Sequence, residues 1–169
     1  IQDQALAKAY TIEFEEMWSG IFGNQKEDNT PHKFSIGGKD VELYFSPSDQ
    51  TTSKIIDFID KVDYSLEIGL LSFTRDDIGD KVIEKDNQFG VIVRGIIEQE
   101  NVTGSEFSNL NSAGVNVRSH TGVQHSFHHK YAIADANVSA ANSAVLTGSH
   151  NWSTNAEVNS DENTLIIYD

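Results

Sequence analysis

A histidine, a lysine two residues on and an aspartate five residues further make a spacing that suits chemistry on a phosphodiester. The run His128-His129-Lys130-Tyr131-Ala132-Ile133-Ala134-Asp135 has this form, His-x-Lys-x4-Asp. Phosphodiesters are very stable. Cleaving them takes a strong nucleophile, a proton donor for the leaving group, and cations or donors around the phosphoryl oxygens. A neutral imidazole near pH 7 is a competent nucleophile and a usable acid or base. Alternation along a strand puts His128 and Lys130 on one face, about 7 Å apart, so that one phosphate can meet both. Gly148-Ser149-His150-Asn151 follows at a turn after the next strand, where Ser149 and Asn151 can donate to the same oxygens. Glu162 can accept from the other ring nitrogen of His128 and fix its tautomer. Five of the six histidines (His120, His125, His128, His129, His150) fall within residues 120–150, a clustering that surface decoration does not produce.

Taken singly, each residue has an ordinary reading. A lone histidine is most often structural, Lys130 a solvated charge, Asp135 a turn residue, and Gly148-Ser149 a turn. Asn101-Val102-Thr103, Asn137-Val138-Ser139 and Asn151-Trp152-Ser153 match glycosylation sequons, but three-residue matches carry little weight without a secretory context. The weight lies in joint order and spacing. His125, His128 and His129 could supply nitrogen ligands to zinc. No fourth ligand of suitable spacing stands out, and Lys130 in their midst would repel the metal. No metal and no cofactor are expected.

The chain has 169 residues, enough for one domain with a core. It has no cysteine, which excludes disulfides, thiol nucleophiles and thiolate metal sites. No apolar run approaches the roughly 18 residues of a membrane helix. The net charge is −14, and beyond Gly95 the only basic residues are Arg118 and Lys130. A protein that grips long nucleic acid shows a basic face, which is not evident here. The start at Ile1 reads as a piece of something longer, and the compartment stays unassigned with a slight lean to an extracytoplasmic one.

The elements that must position these residues follow from periodicity. A helix is predicted over Asp3 to Gly20, with Leu6, Tyr10, Phe14, Met17 and Ile21 at helical spacing. Residues 24–31 read as a loop. Strands are predicted over 32–36 and 41–45 around a Gly37-Gly38 turn, then a helix over 51–62 with Thr51, Thr52 or Ser53 as cap. Further strands are expected over 66–73, 90–97, 115–118, 131–134, 144–147 and 164–168, and helices over 75–87 and 105–112. Residues 137–143 suit a hairpin loop. Alternation of strand and helix from 50 to 120 argues for a layered α/β domain.

On His128, Lys130, Asp135, Gly148, Ser149, Asn151 and the run Asp161-Glu162-Asn163, the chain resembles the phospholipase D superfamily of phosphodiesterases and phosphatidyltransferases. The resemblance extends to Tyr44-Phe45-Ser46-Pro47 and Leu71-Ser72-Phe73-Thr74, and covers about residues 40–169. It implies an α/β fold with a mixed β-sheet flanked by helices on both faces and the motif strands near its centre. It also implies a metal-independent mechanism in which His128 attacks phosphorus to give a phosphohistidine. Lys130, Asn151 and Ser149 would hold the phosphate, Glu162 would orient His128 and Asp135 would support. Active sites of this family use two such motifs, and this chain has one. A partner half is therefore expected, from the same polypeptide or a homodimer, with residues 1–30 as helix and linker from the preceding half and 31–169 as the catalytic half. The substrate is expected to be nucleic acid or phospholipid, with no stable nucleic-acid partner evident. The alternative is a non-catalytic binding or scaffold module.

Overall fold

A computed structural model describes residues 2–136, 138–139 and 143–169. Fourteen elements follow one another: α1 (Gln4–Trp18), a 3-10 turn (Gly23–Gln25), β1 (Lys33–Ile36), β2 (Lys39–Ser46), α2 (Thr51–Asp60), β3 (Ser65–Leu70), α3 (Asp76–Asp86), β4 (Ile92–Ile97), α4 (Phe107–Ser112), β5 (Asn116–Ser119), β6 (Lys130–Ala134), β7 (Ala144–Gly148), α5 (Thr154–Val158) and β8 (Glu162–Tyr168). The strands form one sheet in the order β1-β2-β8-β7-β6-β3-β4-β5. β3 pairs parallel with β4, and β4 with β5. All the other pairings are antiparallel. The sheet is therefore mixed, with the motif strands β6 and β7 in its middle, as the resemblance implies.

Side-chain alternation divides the sheet's two faces. Leu66, Ile68, Leu70, Val93, Ile97, Ala132, Ala134, Leu146 and Ile166 point to one face, where they bury Ile55, Phe58 and Ile59 of α2 and Ile78 and Val82 of α3. Val41, Leu43, Phe45, Leu165 and Ile167 point to the other, where α1 lays Leu6 and Ala9. Helices thus pack on both faces, α1 over the β1, β2 and β8 part of the second. The Asp3 carboxylate caps α1 by accepting from the Leu6 amide at 2.8 Å.

Two local expectations change. The α2 cap does not come from Thr51, Thr52 or Ser53. The Thr52 amide donates instead to Glu157 on α5, at 2.8 Å, a carboxylate at the positive end of the helix. α5 itself has no counterpart in the sequence reading: it is five residues long and only Ala156 is buried, too little pattern to register. The expected 137–143 hairpin lies partly outside the described residues, and the pairing of β6 with β7 is antiparallel.

Candidate active site

His128, Lys130, Ser149, Asn151, Glu162 and Asn163 gather at one end of the sheet. Lys130 opens β6, Ser149 and Asn151 follow the end of β7, and Glu162 and Asn163 open β8. Their meeting is a consequence of antiparallel register. Gly148 of β7 lies opposite Thr164 of β8, so the turn after one strand stands beside the start of the next. The approach is close enough that a Cβ on Gly148 would lie 2.0 Å from the Asn163 carbonyl oxygen, which only glycine avoids.

His128 precedes β6 rather than lying in it, but the bonding to the chain after β3 runs one residue past the strand: the His129 carbonyl accepts from the Leu71 amide at 2.8 Å. The Lys130 Nζ lies 2.9 Å from Nδ1 of His128, 3.4 Å from Nε2 and 3.3 Å from the His128 carbonyl oxygen. Imidazole and ammonium thus share one site, as the i, i+2 spacing predicts. Lys130 is 7% exposed. Burial pulls its ammonium below the usual lysine range, partly opposed by the Glu162 carboxylate. His128 itself is exposed and open to a substrate.

The segment leading into His128 is tied down by Glu98, which accepts from the Phe127 amide and from the Ser126 hydroxyl at 3.0 Å. His120 adds an ion-pair contact to the same carboxylate at 3.3 Å. Burial works against the charge on Glu98, but these partners outweigh it and hold the carboxyl below its ordinary range. Glu98 was not singled out in the sequence: it sits 30 residues from the motif with no pattern to mark it.

On the other side, the Ser149 hydroxyl accepts from the Asn163 amide at 3.1 Å and from its side-chain Nδ2 at 3.3 Å, while the Ser149 amide donates to the Asn163 carbonyl at 3.0 Å. With the hydroxyl oxygen occupied as an acceptor, its proton is left to point at a bound oxyanion. Glu162 meets Lys130 through its charge. No hydrogen bond from His128 to Glu162 is among the contacts of the described residues, so the expected His128–Glu162 pairing is not formed in this arrangement.

Asp135 is not brought to this cluster. It lies past the far end of β6, roughly 16 Å of strand from Lys130, fully buried and with positive φ (54°). Its carboxylate accepts from three consecutive amides, those of Asp63 (3.0 Å), Tyr64 (2.7 Å) and Ser65 (2.8 Å). That arrangement anchors the start of β3 to the end of β6. Asp135, expected among the catalytic residues in a supporting role, thus stands apart from the His128–Lys130 cluster and bonds to backbone.

A groove of ≈ 430 Å³ opens beside Glu162 and Asn163, walled by Tyr10, Phe14 and Met17 of α1 and by Phe45. The Tyr10 hydroxyl donates to Asn163 Oδ1 at 3.4 Å. Lys26, buried between Glu13, the Ser46 carbonyl (3.0 Å) and Asp161 (3.0 Å), ties α1 to the start of β8. The histidines weighed for zinc form no ligand group. Among the described residues, three such atoms lie within 4.8 Å of one another only at Asp28, His32 and Asp49. There the ring already bonds Asp28 (2.8 Å) and the Leu43 carbonyl (3.0 Å).

Comparison with known proteins bears on this geometry. The family profile described as "Cardiolipin synthase, PLD-like domain" matches residues 55–169. The chain is 32% identical over 135 residues to the mitochondrial cardiolipin hydrolase of Chlamydomonas reinhardtii, covering 79% of this chain and 57% of that protein. It is 33% identical over 124 residues to the mouse protein of the same name, covering 72% and 52%. The chain thus spans little more than half the length of these relatives. Two solved structures share the fold. Nuc, a phospholipase D family member from Salmonella typhimurium, has a TM-score of 0.63 at 26% identity, with 78% of this chain and 84% of that one covered. NucT from Helicobacter pylori has a TM-score of 0.66 at 25% identity, with 76% and 85% covered. No helix among the described residues is long and apolar enough to cross a membrane.

Proposed function

Because the chain belongs to the phospholipase D-like family, a family that includes phosphodiesterases, we propose that it hydrolyses or transfers a phosphodiester through a phosphohistidine on His128. The observation that carries this is the shared position of the exposed His128 ring and the buried Lys130 ammonium, 2.9 Å apart at the centre of the sheet's end. A nucleophile and a cation held together without a competing carboxylate bond suit attack on an anionic phosphorus centre.

In the proposed reaction a ring nitrogen of His128 attacks phosphorus as the bond to the departing oxygen breaks. That oxygen takes a proton from a second histidine, supplied by another motif-bearing half. Water or an alcohol, giving its proton back to the second histidine, then attacks the phosphohistidine, the P–N bond breaks, and His128 returns neutral. Lys130, Ser149 and Asn151 hold the phosphoryl oxygens through both steps. Glu162 sustains the charge on Lys130, and on substrate binding orients His128. Asp135 acts at a distance by fixing β6 against β3. No metal takes part. The second half comes from the same polypeptide or from another copy of the chain, with residues 1–30 continuing from a preceding half.

The relatives are named for a lipid and the structural neighbours include Nuc, so phospholipid and nucleic acid are both candidate substrates. The apolar groove beside Glu162 favours a substrate with an apolar group, and the −14 net charge weighs against long polyanions.

Hydrolysis of bis(p-nitrophenyl) phosphate in EDTA, wild type against His128→Ala, tests the reading. EDTA-resistant activity that the substitution abolishes supports it. Activity that survives the substitution, or that EDTA removes, overturns it. A scaffold without catalysis shows no turnover even with its complementary half.

A further inference from the structure

His150 lies between Ser149 and Asn151, yet its ring points away from the open end of the site. It is 3% exposed and neither ring nitrogen makes a well-formed hydrogen bond. Nε2 lies 3.4 Å from Glu157 Oε2, within ion-pair reach. That same oxygen accepts from the amide and the hydroxyl of Thr52, both at 2.8 Å. The groups form one chain: the N-terminus of α2, Thr52, Glu157 of α5, the His150 ring, then the turn that carries Ser149 and Asn151. Burial disfavours the charge on Glu157, but His150 and Thr52 outweigh it and keep the carboxyl below its ordinary range.

The turn is otherwise held on two sides. Ser149 is bonded to Asn163. Beyond Asn151, the Trp152 amide donates to the Ser72 carbonyl at 3.2 Å, its carbonyl accepts from Thr74 at 2.8 Å, and its ring meets Phe73 edge-on at 5.1 Å. Between these anchors Asn151 Oδ1 is buried without a partner among the described residues, so the Asn151 side chain has no bond of its own to fix it on that oxygen. The ring at position 150, next in the chain, is itself buried and lies beside Glu157.

We propose that His150 is a positioning residue: buried in the turn and held by Glu157, it sets the placement of Asn151 beside the phosphate without touching the substrate. The inference rests on the phosphodiesterase reading above.

The test compares His150→Leu, which fills the space without a donor, with His150→Gln, which restores one, alone and combined with Asn151→Ala. Binding of inorganic phosphate by calorimetry and kcat/KM on bis(p-nitrophenyl) phosphate are read together, with thermal melts to confirm folding. Inorganic phosphate binding falls about 10-fold in His150→Leu, the scale of coupling between neighbouring groups, and kcat/KM falls with it. His150→Gln stays within about 3-fold of wild type. In the Asn151→Ala background His150→Leu adds less than about 2-fold, because the group it positions is gone. A folded His150→Leu with wild-type binding and turnover overturns the proposal. So does a full, additive loss in the Asn151→Ala background, which marks a packing role alone. The phosphate titration needs no turnover. Survival of activity in His128→Ala, by contrast, refutes the reading of the site itself.

Discussion

The two ends of strand β6 carry the same sequence motif and do opposite work. At the Lys130 end the polar groups face each other and the open end of the sheet, with His128 exposed. At the Asp135 end the carboxylate is fully buried and, among the described residues, its bonds are to backbone, three amides within 3.0 Å. One end has unspent donors and charge, which is what a substrate needs. The other has spent everything on the fold. On the proposed reading, a motif taken as one catalytic unit divides into a reactive end and an anchor, joined by five residues of strand that fix their spacing.

The comparison breaks most sharply with substitutions at the two ends. His128→Ala is expected to lower kcat by about 10⁴-fold or more, as loss of a nucleophile does, with an unchanged melting temperature. Steady-state kinetics beside calorimetry checks both halves of that statement. Asp135→Ala is expected to show the reverse. It strands three buried amides and costs about 3 kcal/mol of stability. Denaturant unfolding measures this, while the folded fraction retains its turnover. If Asp135→Ala instead removes activity from a fully folded protein, the division between the ends fails.

Lys130→Met is expected to lower kcat/KM about 100-fold, the range for losing one donor to a developing oxyanion. It is expected to leave stability unchanged or raised, since a buried ammonium below its usual range costs the fold something while it is charged. The sign follows from linkage. With the folded value depressed, that cost is present at neutral pH and fades only as pH rises through the lysine's folded value. The smallest effect is on pH dependence. The alkaline fall in kcat/KM is expected below the ordinary lysine range, and Glu162→Gln is expected to move it further down, because the Glu162 charge is what raises Lys130. A pH profile whose alkaline limb is unmoved by Glu162→Gln removes Glu162 from that role.

The sequence was most legible where pattern and burial coincide. β-branched runs such as Ile92–Ile97 and the stripe of Ile55, Phe58 and Ile59 declared strand and helix because one face of each is buried. The cluster of His128 and Lys130 was legible through spacing alone, since two residues of extended chain return a side chain to the same face. What pairs groups across long separations was not. Glu157 caps α2 from 105 residues away, Glu98 holds the approach to His128 from 28 and 29, and neither position carries a local signal. Asp135 shows a related limit: the motif spacing and the resemblance mark it as a supporting residue, but the amides of residues 63–65 that it holds, some 70 residues away, carry no local signal. Strand β8 starts at Glu162 rather than Thr164, so Glu162 and Asn163 enter the site already fixed by pairing with Ser46 and Phe45.

The central claim is that the reactive end of β6 works through a covalent bond to His128. Rapid quenching of turnover on bis(p-nitrophenyl) phosphate, followed by peptide mass spectrometry under alkaline conditions that preserve phosphoramidates, tests it most directly. The account predicts a p-nitrophenylphosphoryl group on His128, absent from His128→Ala and still present in Asp135→Ala protein that is folded. Turnover with no adduct at His128, or with the adduct on another residue, contradicts it.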